Sequence, residues 1–151
     1  MVAATYLLGS QALVDSARNE RTAIHDWAGR EDIADTEVCV SVISFTLFRS
    51  ALDASDADER AAWTRAFDIT LARVRGYGGL RAVTVEIALR AGELRAMTLP
   101  TGDDAALGDL GRLVAATALE ERLVLVERRA PWHERLERLH GLALLDPYTG
   151  W

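Results

Sequence analysis

Short continuous apolar runs alternate along this chain with longer stretches where apolar residues recur every three or four positions. Residues 3–8, 38–42, 81–83, 123–126 and 142–145 are the short runs. Their brevity and continuity predict parallel strands buried on both faces. The longer stretches predict helices. Trp63, Phe67, Leu71 and Val74 mark one helical face, and Asp56 and Glu59 open that helix with capping-box spacing. GYGG at 76–79 ends it and supplies positions free to take positive φ. Phe45, Phe48 and Leu52 mark the core face of an earlier helix. Thr84 caps a later one, with Glu86 in its first turn. Pro100, Gly102, Asp103 and Asp104 form a turn before a further helix running from about 105 to 121.

Strands that alternate with helices imply one parallel α/β sheet with right-handed crossovers. No repeat, low-complexity segment or linker interrupts the pattern, so residues 1–151 read as a single domain. Half the residues are hydrophobic and 26% are charged, the balance of a globular chain. No apolar run reaches the roughly 18 residues a membrane span needs, and the opening residues lack the basic start of a secretory signal. Cys39 is the one cysteine, which excludes an internal disulfide and a cysteine-rich metal site. A buried thiol and a cytoplasmic protein are the expectations.

Charge narrows the functional classes. All 17 basic residues are arginine, and the formal net charge is −6. Nucleic-acid affinity rests on neutralising phosphates, so a general polyanion binder is disfavoured, although a local basic patch is compatible with the total.

Candidate chemistry is sparse. His25, His133 and His140 have no paired acid at convincing spacing and read as surface or interface residues. Ser10 and Ser44 have no base partner and read as capping or turn residues. Arg128 and Arg129 emerge from the end of the fourth apolar run. They form either a salt-bridged strand end or, joined by Arg112, an anion site, because guanidinium groups grip phosphate and carboxylate in a forked geometry. Trp63 belongs to the helical core stripe. Trp27 and Trp132 anchor helices or a partner, and Trp151 packs back or joins an interface. Leu47 lies off the main stripe, roughly 200° from Phe45 at about 100° per residue.

The segments YLLGSQALVD, VSVISFTLFR and LGDLGRLVAATALEERLVLVERR, with a short apolar end before DPYTGW, resemble the PIN domain of VapC-type toxins and their relatives. The resemblance covers nearly the whole chain in order. It implies a three-layer α/β fold, a central parallel sheet with helices on both faces. It also implies a crevice beyond the carboxyl ends of the strands where ligands sit in open sheets. In the family, acidic or polar residues there hold magnesium or manganese for RNA cleavage, hard cations that need oxygen ligands. By resemblance the first acid falls on Gly9, in GSQ where the family reads DTN-like. The glutamate falls on Leu47, in SFTLF, and the third acid on Gly111. The fourth position falls on Arg129. Glycine and leucine offer no side-chain ligand, and arginine only donates.

The expectation is therefore a fold retained and a site lost, with no catalytic residue, no metal and no resident cofactor. The function expected is non-catalytic binding or regulation, in a toxin–antitoxin context. The partners implied are a second copy in a homodimer, and an antitoxin-like protein or an active PIN relative. The alternatives are a diverged ribonuclease whose magnesium or manganese site is relocated or completed by a partner, and an RNA or nucleotide binder using Arg128, Arg129 and Arg112.

Overall fold

A computed structural model of the chain describes residues 5–97 and 108–149. Five strands form one sheet: β1 (Tyr6–Leu8), β2 (Val38–Ser41), β3 (Leu80–Arg81), β4 (Val124–Val126) and β5 (Leu144–Leu145). Their order is β3-β2-β1-β4-β5, and every pairing is parallel. The helices are α1 (Ser10–Ser16), α2 (Ala23–Arg30), α3 (Ser44–Ala54), α4 (Ala57–Gly76), α5 (Val85–Met97), α6 (Gly108–Glu121) and α7 (Pro131–His140).

Period-two alternation explains why the strand runs are apolar throughout. Leu7 is level with Cys39 and Leu125, and this row enters a core with Ile87 and Leu94 of α5, Val114 and Ala115 of α6, and Leu136 of α7. The next row, Leu8 with Val40 and Val126, points the other way. It meets Ala12, Leu13, Trp27, Phe48 and Val74 from α1 to α4. Both faces of the three inner strands are thus covered, which makes three layers. Cys39 is buried, as expected of a core thiol.

The helix signals hold in detail. Asp56 accepts the Glu59 backbone N–H at 2.9 Å and caps α4. Phe67 meets Phe45 and Phe48 edge-on at 5.5 and 5.2 Å, and Trp63 meets Phe48 at 5.7 Å, which locks α4 onto α3. After α4, Gly78 takes φ +73, a left-handed turn that favours glycine. Thr84 accepts the Ile87 N–H at 3.2 Å and starts α5. α7 begins on Pro131 and ends where Gly141 takes φ +73.

Element bounds differ from the sequence expectation at each strand, by one residue at β2 (38–41 rather than 38–42) and at β4 (124–126 rather than 123–126). β3 is 80–81 rather than 81–83, because Leu80 and Arg81 are the residues level with Val40 and Ser41. β5 is 144–145 rather than 142–145: Leu142 still closes the α7 turn, its N–H bonded to the Leu136 carbonyl. The described part of β1 is 6–8. The expected turn at Pro100, Gly102, Asp103 and Asp104, the start of the following helix, and Trp151 lie outside the described residues. No helix among the described residues is long and apolar enough to cross a membrane.

Candidate functional site

The carboxyl ends of the strands lie along one edge of the sheet. Gly9 leaves β1 there, Val42 leaves β2, Glu127 leaves β4 and Asp146 leaves β5. Chain direction brings the starts of α1 and α3 to this edge as well. α6 runs antiparallel into β4, so its first turn, with Gly111, faces the same edge. Ile43, one turn before Leu47, packs on the cluster that holds Val114 and Ala115, one turn after Gly111.

Gly9 is buried, and its N–H donates to the Val126 carbonyl at 2.9 Å. Leu47, off the core stripe of α3, is 40% exposed. Gly111 is half-buried on α6. Arg112, beside it, is buried and has exposed Asp109 as its partner at 3.4 Å. The Arg129 guanidinium pairs with Glu137 on the second turn of α7. Of the two alternatives for Arg129, a salt-bridged strand end or an anion site, the structure shows the side chain in a salt bridge, and its acid is Glu137 of α7. The Arg129 backbone N–H donates to Asp146 Oδ2 at 2.9 Å. Arg128 is exposed and stacks its guanidinium 4.5 Å from the centre of the Tyr148 ring.

Three carboxylates gather near this edge: Glu127 at the end of β4, Asp15 on α1 and Asp146 after β5. Glu127 accepts the Arg128 N–H at 3.1 Å and the backbone N–H of Gln11. Burial pushes its carboxyl above the usual range, against those hydrogen bonds, and the charges of Asp15 and Asp146 add to the rise. Asp15 on α1 accepts from Gln11 Nε2 at 3.1 Å, Arg18 Nε at 3.3 Å and the Tyr148 hydroxyl at 2.6 Å. Asp146 accepts from Arg129, from the Tyr148 N–H at 2.7 Å and from the Thr149 hydroxyl at 2.9 Å. Burial alone would raise the Asp146 carboxyl; the converging donors bring it below its ordinary value. Among the described residues no group of three or more His, Cys, Asp or Glu is placed to hold a metal ion.

The histidine expectation also needs correction. His133 is fully buried, not a surface residue. It sits in the first turn of α7, where Nδ1 accepts the Ala130 N–H at 2.8 Å. Burial lowers its pKa to about 4, helped by the Arg129 charge. Its neutral ring therefore carries the proton on Nε2, which has no partner among the described residues. His25 plays the same part on α2, with Nδ1 at 3.0 Å from the Thr22 N–H, and its Nε2 reaches the Ser16 carbonyl. Ser44 does not cap α3: its buried hydroxyl has no partner among the described residues, while the Ser41 hydroxyl accepts the Ile43 N–H at 3.1 Å.

No family model matches the chain, and no curated protein sequence does. Solved structures do. The chain superposes on FitAcB from Neisseria gonorrhoeae with a TM-score of 0.74 at 12% identity, covering 97% of this chain and 100% of that one. VapBC2 from Rickettsia felis, solved bound to a DNA fragment from their promoter, gives 0.67 at 18% identity, with 94% and 98% covered. DNA-bound VapBC from Salmonella typhimurium gives 0.64 at 16%, with 95% and 98% covered. The chain has the PIN-like fold. By resemblance the acid positions of the family fall on Gly9, Leu47, Gly111 and Arg129; the carboxylates that the structure gathers near the strand ends are Glu127, Asp15 and Asp146. A sequence signal for Asp146 existed in the Asp-Pro pair of the final turn. For Glu127 the only signal was its place at the end of a strand.

Proposed function

We propose that this PIN-like chain is a non-catalytic binding or regulatory protein of a toxin–antitoxin system, one whose metal-dependent ribonuclease chemistry has lapsed. One observation carries the reading. The strand-end carboxylates Glu127, Asp15 and Asp146 are each matched by two or three donors of the chain itself. A centre for a hard cation needs carboxylate oxygens left open toward one point. The VapBC and FitAB structures that share this fold are solved as complexes, which supports an antitoxin-like partner here.

A surface fit for such a partner lies between the end of α1 and α4. It is a cleft of about 540 Å³ that shares Ala62 and Ala66 with a neighbouring cleft of about 300 Å³. Ile69, 57% exposed, adds to its apolar floor. Arg65 and Arg73 flank it and have no ion pair among the described residues. The occupant these features match is an extended or helical segment with apolar side chains flanked by Asp or Glu.

The deciding experiment titrates the purified protein with manganese and offers it RNA. The expected result is no saturable heat of manganese binding and no cleavage above a buffer control. A second reading, a diverged ribonuclease with a relocated site, is favoured by the three acids on the strand-end edge. Manganese-dependent cleavage that persists through repurification and is lost in Glu127→Gln would establish it instead.

A further inference from the structure

Gly9 is not a glycine for the sake of its backbone. Its φ of −66 and ψ of 170 are extended values that any residue adopts. Its reason is room. A Cβ built on Gly9 would collide with Glu127 Oε2, stand 2.6 Å from Glu127 Cδ, and stand 3.1 Å from the Val126 carbonyl oxygen. Leu8 and Val126 are level in the sheet, so residues 9 and 127 leave their strands side by side. The Glu127 side chain folds back across that gap and lies where a side chain on residue 9 would begin.

The same residue supplies what Gly9 lacks. Gly9 is the N-cap of α1, and a side-chain oxygen at an N-cap ordinarily accepts the N–H of the second or third helical residue. Gln11 is the second residue of α1, and its N–H is accepted by Glu127 instead. The carboxylate also places negative charge at the positive end of the helix. The buried position of that carboxyl, and the rise in its pKa that burial causes, agree with a group held in place rather than waving in solvent.

We infer that Gly9 and Glu127 form one interdependent pair: Glu127 caps α1 from the neighbouring strand and fills the space of the missing side chain, closing the strand-end crevice from within. Neither residue is then replaceable alone. A side chain at 9 displaces the carboxylate from Gln11 and presses the Val126 carbonyl. Loss of Glu127 leaves the first turn of α1 uncapped beside an empty gap. The pair goes beyond the non-catalytic reading, since it concerns how the crevice is built and not whether the protein cleaves RNA.

The test is a thermal-unfolding cycle on the full chain: wild type, Gly9→Ala, Glu127→Ala and the double variant, with Gly9→Asp added in the Glu127→Ala background. At an extended position Gly→Ala ordinarily stabilises by restricting the unfolded chain. Here Gly9→Ala should lower Tm by about 3 °C or more in the wild-type background, a shift on the scale of one lost charged cap in a domain of this size. In the Glu127→Ala background it should be neutral or raise Tm. Gly9→Asp should restore part of what Glu127→Ala loses, by capping α1 from its own N-cap position. A double variant that folds where Gly9→Ala alone does not would show the same coupling. Equal effects of Gly9→Ala in both backgrounds, or none in either, would overturn the pair, whatever the manganese experiment gives.

Discussion

Lowering the pH toward 5 should weaken this fold through one imidazole. His133 has a folded-state pKa near 4 because it is buried beside Arg129, against an ordinary value of 6.5. Between those two values the unfolded chain holds the proton and the folded chain does not. Stability contributed by the neutral ring is thus complete above the upper value and drains away as the pH falls toward the lower one. The gap converts to about 3 kcal/mol over the whole window, and to about 2 kcal/mol between roughly pH 7 and roughly pH 5. The coupling is mechanical as well as electrostatic. Protonated Nδ1 cannot accept the Ala130 N–H, so α7 loses its first-turn bond. Asp146 adds a loss at lower pH, because its carboxyl is held below its ordinary value, and Glu127, raised by burial, works in the opposite sense. Comparison with His133→Gln cancels both, since glutamine at this helix position keeps an acceptor and does not titrate. Denaturant unfolding at the two pH values should show the wild type losing about 2 kcal/mol more than His133→Gln. Parallel pH profiles for the two proteins would refute the account and assign any acid sensitivity to the carboxylates.

Val85 and Leu89, one turn apart on α5 and 71% and 66% exposed, are the most exposed large apolar residues among the described residues, and we propose them as the seam of the homodimer that the PIN resemblance implies. Light scattering should give twice the monomer mass for the wild type and monomer for Val85→Asp/Leu89→Asp, with an unchanged melting curve at low concentration; a monomeric wild type would end the dimer proposal. Reversing charge at Arg65 and Arg73 should cost a co-expressed antitoxin-like partner about tenfold or more in affinity while leaving Tm unchanged. Unaltered affinity would move the docking surface off α4.

How far the sequence reaches can be followed residue by residue. The strands were readable because rows such as Leu7–Cys39–Leu125 and Leu8–Val40–Val126 are both buried, which makes each run apolar throughout. The α4 cap at Asp56 and the turn at Gly78 were readable because both act within a few residues of themselves. What failed depends on contacts across the chain. His133 is followed in sequence by Glu134 and Arg135, yet it is buried, on the helix whose Leu136 packs with Leu125 of the sheet. Arg129 takes the salt-bridged alternative, and what the sequence left open was the partner, Glu137 eight residues on. Glu127 reaches Gly9 because β4 lies next to β1, an adjacency that no local pattern encodes.

The state of the acids at the strand ends separates a working cation centre from a structural joint, and stability measures the difference. Carboxylates gathered for a metal repel one another while the metal is absent, so removing one from the empty protein relieves strain; functional sites commonly cost stability in this way. Asp15 has the opposite surroundings. Its side chain is only 13% exposed and takes donors from Gln11, Arg18 and Tyr148, the last at 2.6 Å from a hydroxyl that Asp15 itself, after burial, pushes above its ordinary pKa. Asp15→Ala would strand the half-buried Tyr148 hydroxyl, leave Arg18 with Glu20 as its acid partner and loosen the turn that begins at Asp146. Hydrogen bonds to a charged group are worth about 1.5–3 kcal/mol, so a loss of about 2 kcal/mol is expected by denaturant unfolding without divalent metal. Tyr148→Phe should lose part of the same amount, and the double variant should lose less than the two single losses added together, because both remove one bond. An Asp15→Ala protein more stable than wild type would mean that the strand-end acids repel more than they bind. The crevice would then have to be read as a cation site held open.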